Sequence, residues 1–353
     1  MKGRARTMDA LVRHGSVSPR AGPSGRRIVE ERMKTPAGPS VPLVYSHASE
    51  QAPPRQAAAG ARMAWGPVAL FCLLWSSAFA GAKFGLRDCP PLTLLTIRFF
   101  LAAVALLALA AWKGSLRLPG WRELGLLALL GILNNALYLG LSWMGMLTVS
   151  SAFTAVLIST NPLLIGVLAG PVLGERLTGR KLAGLLLGLA GVALVLRSRL
   201  GGMHEDPHGV WLVAGGLVAL VAATLLYKRH PPASGLWLST GVQALAGALA
   251  LLPFALLREG GQPIAWTANL FWSLAYMVLA VSVGGYGLWF HILRRSTATA
   301  ASALHFLMPP LGLLFGWLTL GEHVAAMDLV GILPIAAGIW LATREPMNKG
   351  LSR

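Results

Sequence analysis

Arg98 interrupts a stretch, 92–112, that is otherwise apolar. A charge inside a lipid-spanning helix costs about 2.5–3.5 kcal/mol on insertion scales, so it normally faces a bundle interior and has a partner there. Facing inward, Arg98 is a cationic anchor for a carboxylate. It also stands only one to two turns from the start of its stretch at Leu92, so snorkelling to water is open as the alternative. The other conspicuous polar groups within apolar stretches are Asn134, Asn135, Tyr138, Ser159, Asn161, Gln243, Tyr286, His291 and His305. In lipid each needs an internal partner or a wet cavity. His305 is the group suited to carrying a proton, because imidazole titrates near neutral pH. Against that stands the plainer role of a satisfied structural histidine. Trp75 is a candidate cavity wall, or simply a packed aromatic.

Pro162 and Pro309 each remove a helical hydrogen bond and free the carbonyl four residues earlier, on Ile158 and His305. Broken helices in symmetric positions point to the site of a transporter, and a packing kink is the alternative. Glu175 and Glu322 close their apolar stretches and read as structural ends, with Arg180 or Lys181 as interfacial partners of the first. The Gly166, Gly170, Gly174 ladder, echoed by Gly312 and Gly316, reads as close helix packing. No HExxH, no Gly-x-Ser-x-Gly with a facing histidine and no Walker lysine occurs, so neither catalytic residues, nor a metal, nor a cofactor is expected. Cys72 and Cys89 are about 25 Å apart if their helix is continuous, too far for a disulfide.

The elements that must position these groups follow from composition. Mean hydropathy is +0.63, and 12% of residues are charged, against about a quarter in soluble domains. Ten apolar stretches are long enough for membrane helices: 64–83, 92–112, 121–143, 148–171, 180–197, 209–228, 236–257, 268–290, 297–320 and 326–343. None alternates like a barrel strand, so the fold is an all-α membrane bundle of ten transmembrane helices. The net charge of +17 lies between and before these stretches. It does not form a nucleic-acid surface, and the partner is the lipid bilayer. Residues 1–62 hold eleven Lys/Arg and no apolar periodicity, and are expected to be a disordered, dispensable basic tail. A transit peptide and a start at Met63 both fit it. Residues 344–353 form a short tail.

A shift of 147 residues puts Pro162 on Pro309, Gly174 on Gly321, Glu175 on Glu322, Gly184 on Gly331 and Gly191 on Gly338. The chain is therefore a duplication, with repeats at 63–197 and 209–343. Five spans per repeat is odd, so the second repeat enters from the other side and the two are inverted. With both termini in the cytoplasm, inside segments hold 13 Lys/Arg and outside segments five, leaving aside the N-terminal tail. The positive-inside rule supports that orientation, despite Arg197 and Arg199.

Trp75-Ser76-Ser77-Ala78-Phe79, Arg98-Phe99, Asn161-Pro162, Leu173-Gly174-Glu175, Pro309 and Leu320-Gly321-Glu322 stand in an order that resembles the drug/metabolite transporter superfamily, EamA type. The resemblance covers about 64–343. It implies a central cavity lined by spans 1–4 and 6–9, with spans 5 and 10 as scaffold. It also implies a secondary-active exporter or exchanger of amino acids, related metabolites or drugs, in a bacterial-type inner membrane. Coupled protons are the expected energy source. The second repeat departs from the first at Met308, His323 and Leu245, which stand where the first has Asn161, Arg176 and Arg98. The substrate-site candidates are Trp75, Arg98, Asn134, Tyr138, Asn161, Tyr286 and His305, with Pro162 and Pro309 as hinges. A non-transporting receptor or assembly subunit, and an intramembrane enzyme, are the competing classes.

Overall fold

The computed structural model describes residues 65–149, 151–200, 206–320 and 330–343. The two expected tails, Glu322 and the HVAAMD segment after it lie outside the described residues.

Nine helices among the described residues are long and apolar enough to cross a membrane: α1 (Trp65–Gly85), α2 (Pro91–Trp112), α3 (Trp121–Gly145), α4 (Phe153–Leu173), α5 (Gly179–Arg197), α6 (Pro207–Arg229), α7 (Leu236–Glu259), α8 (Ala268–Arg295) and α9 (Ala298–Thr319). The shorter apolar helix α10 (Ile332–Thr343) is the tenth. They follow the ten apolar stretches in order. Their starts obey local chemistry. Proline opens α2 and α6, where its missing N–H is no loss. The hydroxyls of Thr267 and Thr297 accept from the backbone N–H groups of Leu270 and Ala300, each at 3.1 Å.

α5 and α10 show the symmetry directly. A Cβ on Gly184 would lie 2.7 Å from the Gly338 oxygen, and one on Gly331 would lie 2.6 Å from the Gly191 oxygen. The reciprocal approaches, Gly338 to Gly184 and Gly191 to Gly331, are as tight. Residue numbers rise along one helix as they fall along the other, so the pair is antiparallel. The 147-residue shift turns Gly184 into Gly331 and Gly191 into Gly338, and so exchanges the two contacts. That exchange defines a pseudo-two-fold axis across the helices. The repeats are inverted.

The Gly166, Gly170, Gly174 ladder works otherwise than the spacing suggests. Gly166 meets only the Leu185 side chain closely, Gly312 has nothing within 4 Å, and Gly174 has a left-handed φ of 71° that ends α4. Reciprocal glycine-to-glycine backbone packing joins α5 and α10, and α3 approaches the backbones of α7 and α6 closely at Gly131 and Gly145.

Among the described residues, four helices depart from regular geometry, in equivalent pairs. The α4 span is made of two helical pieces, Ser151–Ile158, which begins two residues ahead of it, and Asn161–Leu173, with Pro162 in the first turn of the second. α9 runs from Ala298–Ala303 through a 3-10 turn at Leu304–Leu307, and Pro309 enters the first turn of the helix after it. The His305 carbonyl is not left free there, because the tightened turn hands it the Met308 N–H. α3 and α8 contain π-helical segments, Ile132–Gly140 and Met277–Gly285. Shifted by 147, the first overlaps the second, so the widened turn is also a repeated feature.

Acids clasp the equivalent helix pairs. Glu259, the last residue of α7, accepts from the N–H groups of Leu92 and Thr93 at 3.0 and 2.7 Å and from the Thr93 hydroxyl at 2.8 Å. Glu175, after α4, does the same for α9: Ala298 N–H at 2.6 Å, Thr299 N–H at 3.3 Å and the Thr299 hydroxyl at 2.9 Å. Each satisfies otherwise unpaired donors at the positive end of a helix. Glu175 is thus a structural end, as expected, and these bonds tie it to the other repeat. Glu123 and Ser234 tie α3 to the loop before α7 at 2.7 Å. Asp88 accepts from Thr267 and Asn269 at 2.6 and 2.8 Å, and these bonds hold its carboxyl below the usual aspartate range. Every tie joins segments that a five-plus-five topology puts on one membrane face.

Glu175→Ala leaves two helix-terminal N–H groups without their partner. We expect a loss of about 1–3 kcal/mol of stability, read as a lower midpoint of thermal unfolding in detergent, with Glu175→Gln in between. A midpoint unchanged in both variants would contradict the clasp.

Candidate functional site: a cleft between the repeats

Between the repeats, α2, α3, α7 and α8 leave a narrow cleft. It is lined by Phe99 and Leu106 from α2, Asn135 from α3, Thr240, Gln243 and Ala244 from α7, and Ser282, Tyr286 and Phe290 from α8. In this state it is nearly closed, with room for about one water molecule. No lining residue comes from α5 or α10, the glycine-packed pair. Two helices of each repeat build the walls.

The irregular helices put the polar groups here. In the π-helical part of α3, the Asn135 amide donates to the Gln243 backbone carbonyl at 3.1 Å and its oxygen accepts from the Tyr286 hydroxyl at 2.9 Å. This requires α3 and α7 to approach closely, and Gly131 and Gly247 permit it. A Cβ at Gly131 would fall 2.2 Å from the Gln243 oxygen, and one at Gly247 2.5 Å from the Asn135 Cβ. The π segment of α8 carries Ser282, and Tyr286 follows at its end.

Arg98 settles inward. It is only 4% exposed, and its Nε donates to the Ser282 hydroxyl oxygen at 3.2 Å. The guanidinium carbon also lies 5.2 Å from the Phe99 ring centre. The snorkelling alternative is not what this side chain does. Among the described residues, Asp88, Glu123, Glu175, Asp206 and Glu259 all stand at helix ends or in loops. The described membrane interior therefore offers Arg98 no carboxylate.

The remaining candidates divide. Trp75 packs edge-on against Tyr286, with centroids 5.0 Å apart, which ties α1 to the cleft wall. His305 is 5% exposed and lies behind that wall, edge-on to Trp289 at 5.0 Å and near Phe71 at 6.5 Å. Its Nδ1 faces the Ser302 carbonyl at 3.0 Å, which makes Nδ1 the donor. Tyr138 is buried against Ala219 and Leu220 of α6. Asn134 is buried in the π segment of α3. Asn161 is fully buried at the break in α4, with neither amide atom hydrogen-bonded. None of these last four lines the cleft. Ser282, Thr240 and Gln243 do, and the first two carried no signal in the sequence, being single hydroxyls in apolar runs.

A ten-helix membrane bundle of two inverted repeats around a cleft is the architecture of a transporter. Comparison with known proteins gives the family: residues 65–197 and 208–344 match the EamA-like transporter family, one match per repeat, and the chain belongs to it. It is a membrane transporter and not an enzyme. Among similar proteins is a transporter of Bacillus subtilis, YoaV, 28% identical over 77% of this chain and 93% of its own length. Another, 29% identical over 79% of this chain and 93% of its own, is named a probable terminal-alkyne amino-acid exporter, of Streptantibioticus cattleyicolor. A third, from Salmonella typhimurium, is named a probable amino-acid metabolite efflux pump and is 26% identical over 77% of this chain and 92% of its own. One crystal structure at 21% identity superposes with a TM-score of 0.66 over 78% of this chain and 95% of that one, a likeness of fold.

Proposed function

We propose that the chain is a secondary-active exporter or exchanger of small carboxylate-bearing metabolites of the amino-acid class. The observation that carries this reading is Arg98: a buried cation at the edge of the cleft, bonded to a neutral hydroxyl and with no described carboxylate in the membrane interior. An anionic group on the substrate completes it. The cleft lining is neutral and largely apolar, which suits a small amphiphilic molecule and offers no acid to a cation. The amino-acid names of two relatives support the same class.

Transport proceeds by alternating access about the repeat interface. The breaks at Pro162 and Pro309 are the hinges, in equivalent places of the two repeats. Both termini lie in the cytoplasm of a bacterial-type inner membrane, a reading supported by the distribution of Lys and Arg. Protons supply the coupling.

Counterflow in proteoliposomes tests this reading. Vesicles preloaded with unlabelled leucine, phenylalanine or threonine should accelerate entry of the labelled acid. Concentrative uptake should vanish when a protonophore dissipates the gradient. Absence of flux for every acid overturns the carboxylate reading, and flux that depends on exchange alone overturns the coupling.

A further inference from the structure

We infer that Ser282 is the group that touches the substrate's carboxylate, with Arg98 acting on it from behind. The inference rests on the carboxylate reading above and deepens it. Ser282 lines the cleft, whereas Arg98 reaches the cleft through its bond to the Ser282 oxygen. Arginine only donates hydrogen bonds, so at this contact the serine oxygen must be the acceptor. The serine's own hydrogen is then turned away from the guanidinium and is free to donate into the cleft that Ser282 lines. A hydroxyl polarised by a cation is a stronger donor than a free one, since hydrogen bonds reinforce one another in a low-dielectric site.

The position of Ser282 has a structural reason. In a regular helix, a serine hydroxyl commonly bonds back to the carbonyl four residues earlier, as Ser77 of α1 does to Leu73 at 2.7 Å. Ser282 lies instead in the π-helical part of α8, where the turn is widened, and its oxygen is held by a different helix 184 residues away in sequence. The Tyr286 hydroxyl donates to Asn135, so its hydrogen is already committed. Of these two α8 hydroxyls lining the cleft, Ser282 is the one left to donate to an anion.

The test uses the full-length protein in proteoliposomes, with the acid of fastest counterflow among leucine, phenylalanine and threonine and its primary amide as probes. Ser282→Ala should raise KM for the acid about tenfold, the equivalent of one lost hydrogen bond to a charged group, and leave that for the amide within twofold. Ser282→Thr, which keeps the hydroxyl, should restore the acid's KM. Combined with Arg98→Gln, Ser282→Ala should add little, because both act through one contact. If Arg98→Gln removes the preference for acid over amide and Ser282→Ala does not, the Ser282 contact is wrong and the carboxylate reading stands. If neither substitution alters the preference, or no acid is transported, both are wrong.

Discussion

Arg98→Gln is expected to lower kcat/KM for the transported acid by about 30- to 150-fold, with the amide affected far less. The size follows from a buried hydrogen bond to a charged group, about 2–3 kcal/mol. The expected effect on stability has the opposite sign. Arg98 is 4% exposed and its Nε bonds to the neutral Ser282, so the resting fold bears the cost of a desolvated cation. Replacing such a charge with a neutral or apolar side chain of similar size is often neutral or stabilising. Arg98→Met should therefore match or exceed the wild-type unfolding midpoint while losing acid transport. A variant that loses transport and stability together would make Arg98 a structural residue. Kinetics on the acid and amide, with thermal unfolding of the same preparations, separate the two roles.

The second large effect is expected at Gly338→Ala. The added Cβ would sit 2.5 Å from the Gly184 oxygen and 2.6 Å from the Gly188 nitrogen. Both are backbone atoms of α5, so relief requires the two helices to separate. Overpacking of this kind costs about 1–3 kcal/mol, and more where backbone must move. Gly184→Ala meets Gly338 from the other side, and the double substitution should cost less than the sum, because one separation of the helices relieves both. Gly312→Ala, with nothing within 4 Å, is the matched control and should leave the midpoint unchanged or raise it. Equal midpoints for Gly338→Ala and Gly312→Ala would contradict the antiparallel packing that defines the inverted repeat.

What the sequence conveyed and what it withheld have separate physical causes. Span number and the inversion are written in hydropathy and in one offset, both of which survive without knowing how any helix is turned. Pro162 and Pro309 announce their breaks because proline cannot complete the helical bond wherever it stands. Rotation and partnership are different. That Arg98 turns inward and meets Ser282 depends on a contact spanning 184 residues, and no local pattern encodes it. Glu175 was legible as a terminus, but its bonds to Ala298 and Thr299 cross to the other repeat. The π segments were hidden because one extra residue per turn barely disturbs an apolar pattern. Gly166, Gly170 and Gly174 carried the familiar spacing, while close backbone contacts formed at Gly131, Gly145, Gly184, Gly191, Gly331 and Gly338, which share no such local pattern.

The central claim is that the cleft between the repeats binds an acid and opens to each side of the membrane in turn. Thr240 lines that cleft and is buried, so Thr240→Cys places a thiol there with little change in volume. The native thiols are buried, and burial pushes that of Cys89 up to about 11, but both are best removed by Cys72→Ser and Cys89→Ser. Labelling the introduced thiol with a membrane-impermeant maleimide in vesicles of known orientation is the measurement. The account predicts labelling from either side, and slower labelling from both when the transported acid, but not its amide, is present. Labelling from one side only, unchanged by the acid, would contradict it.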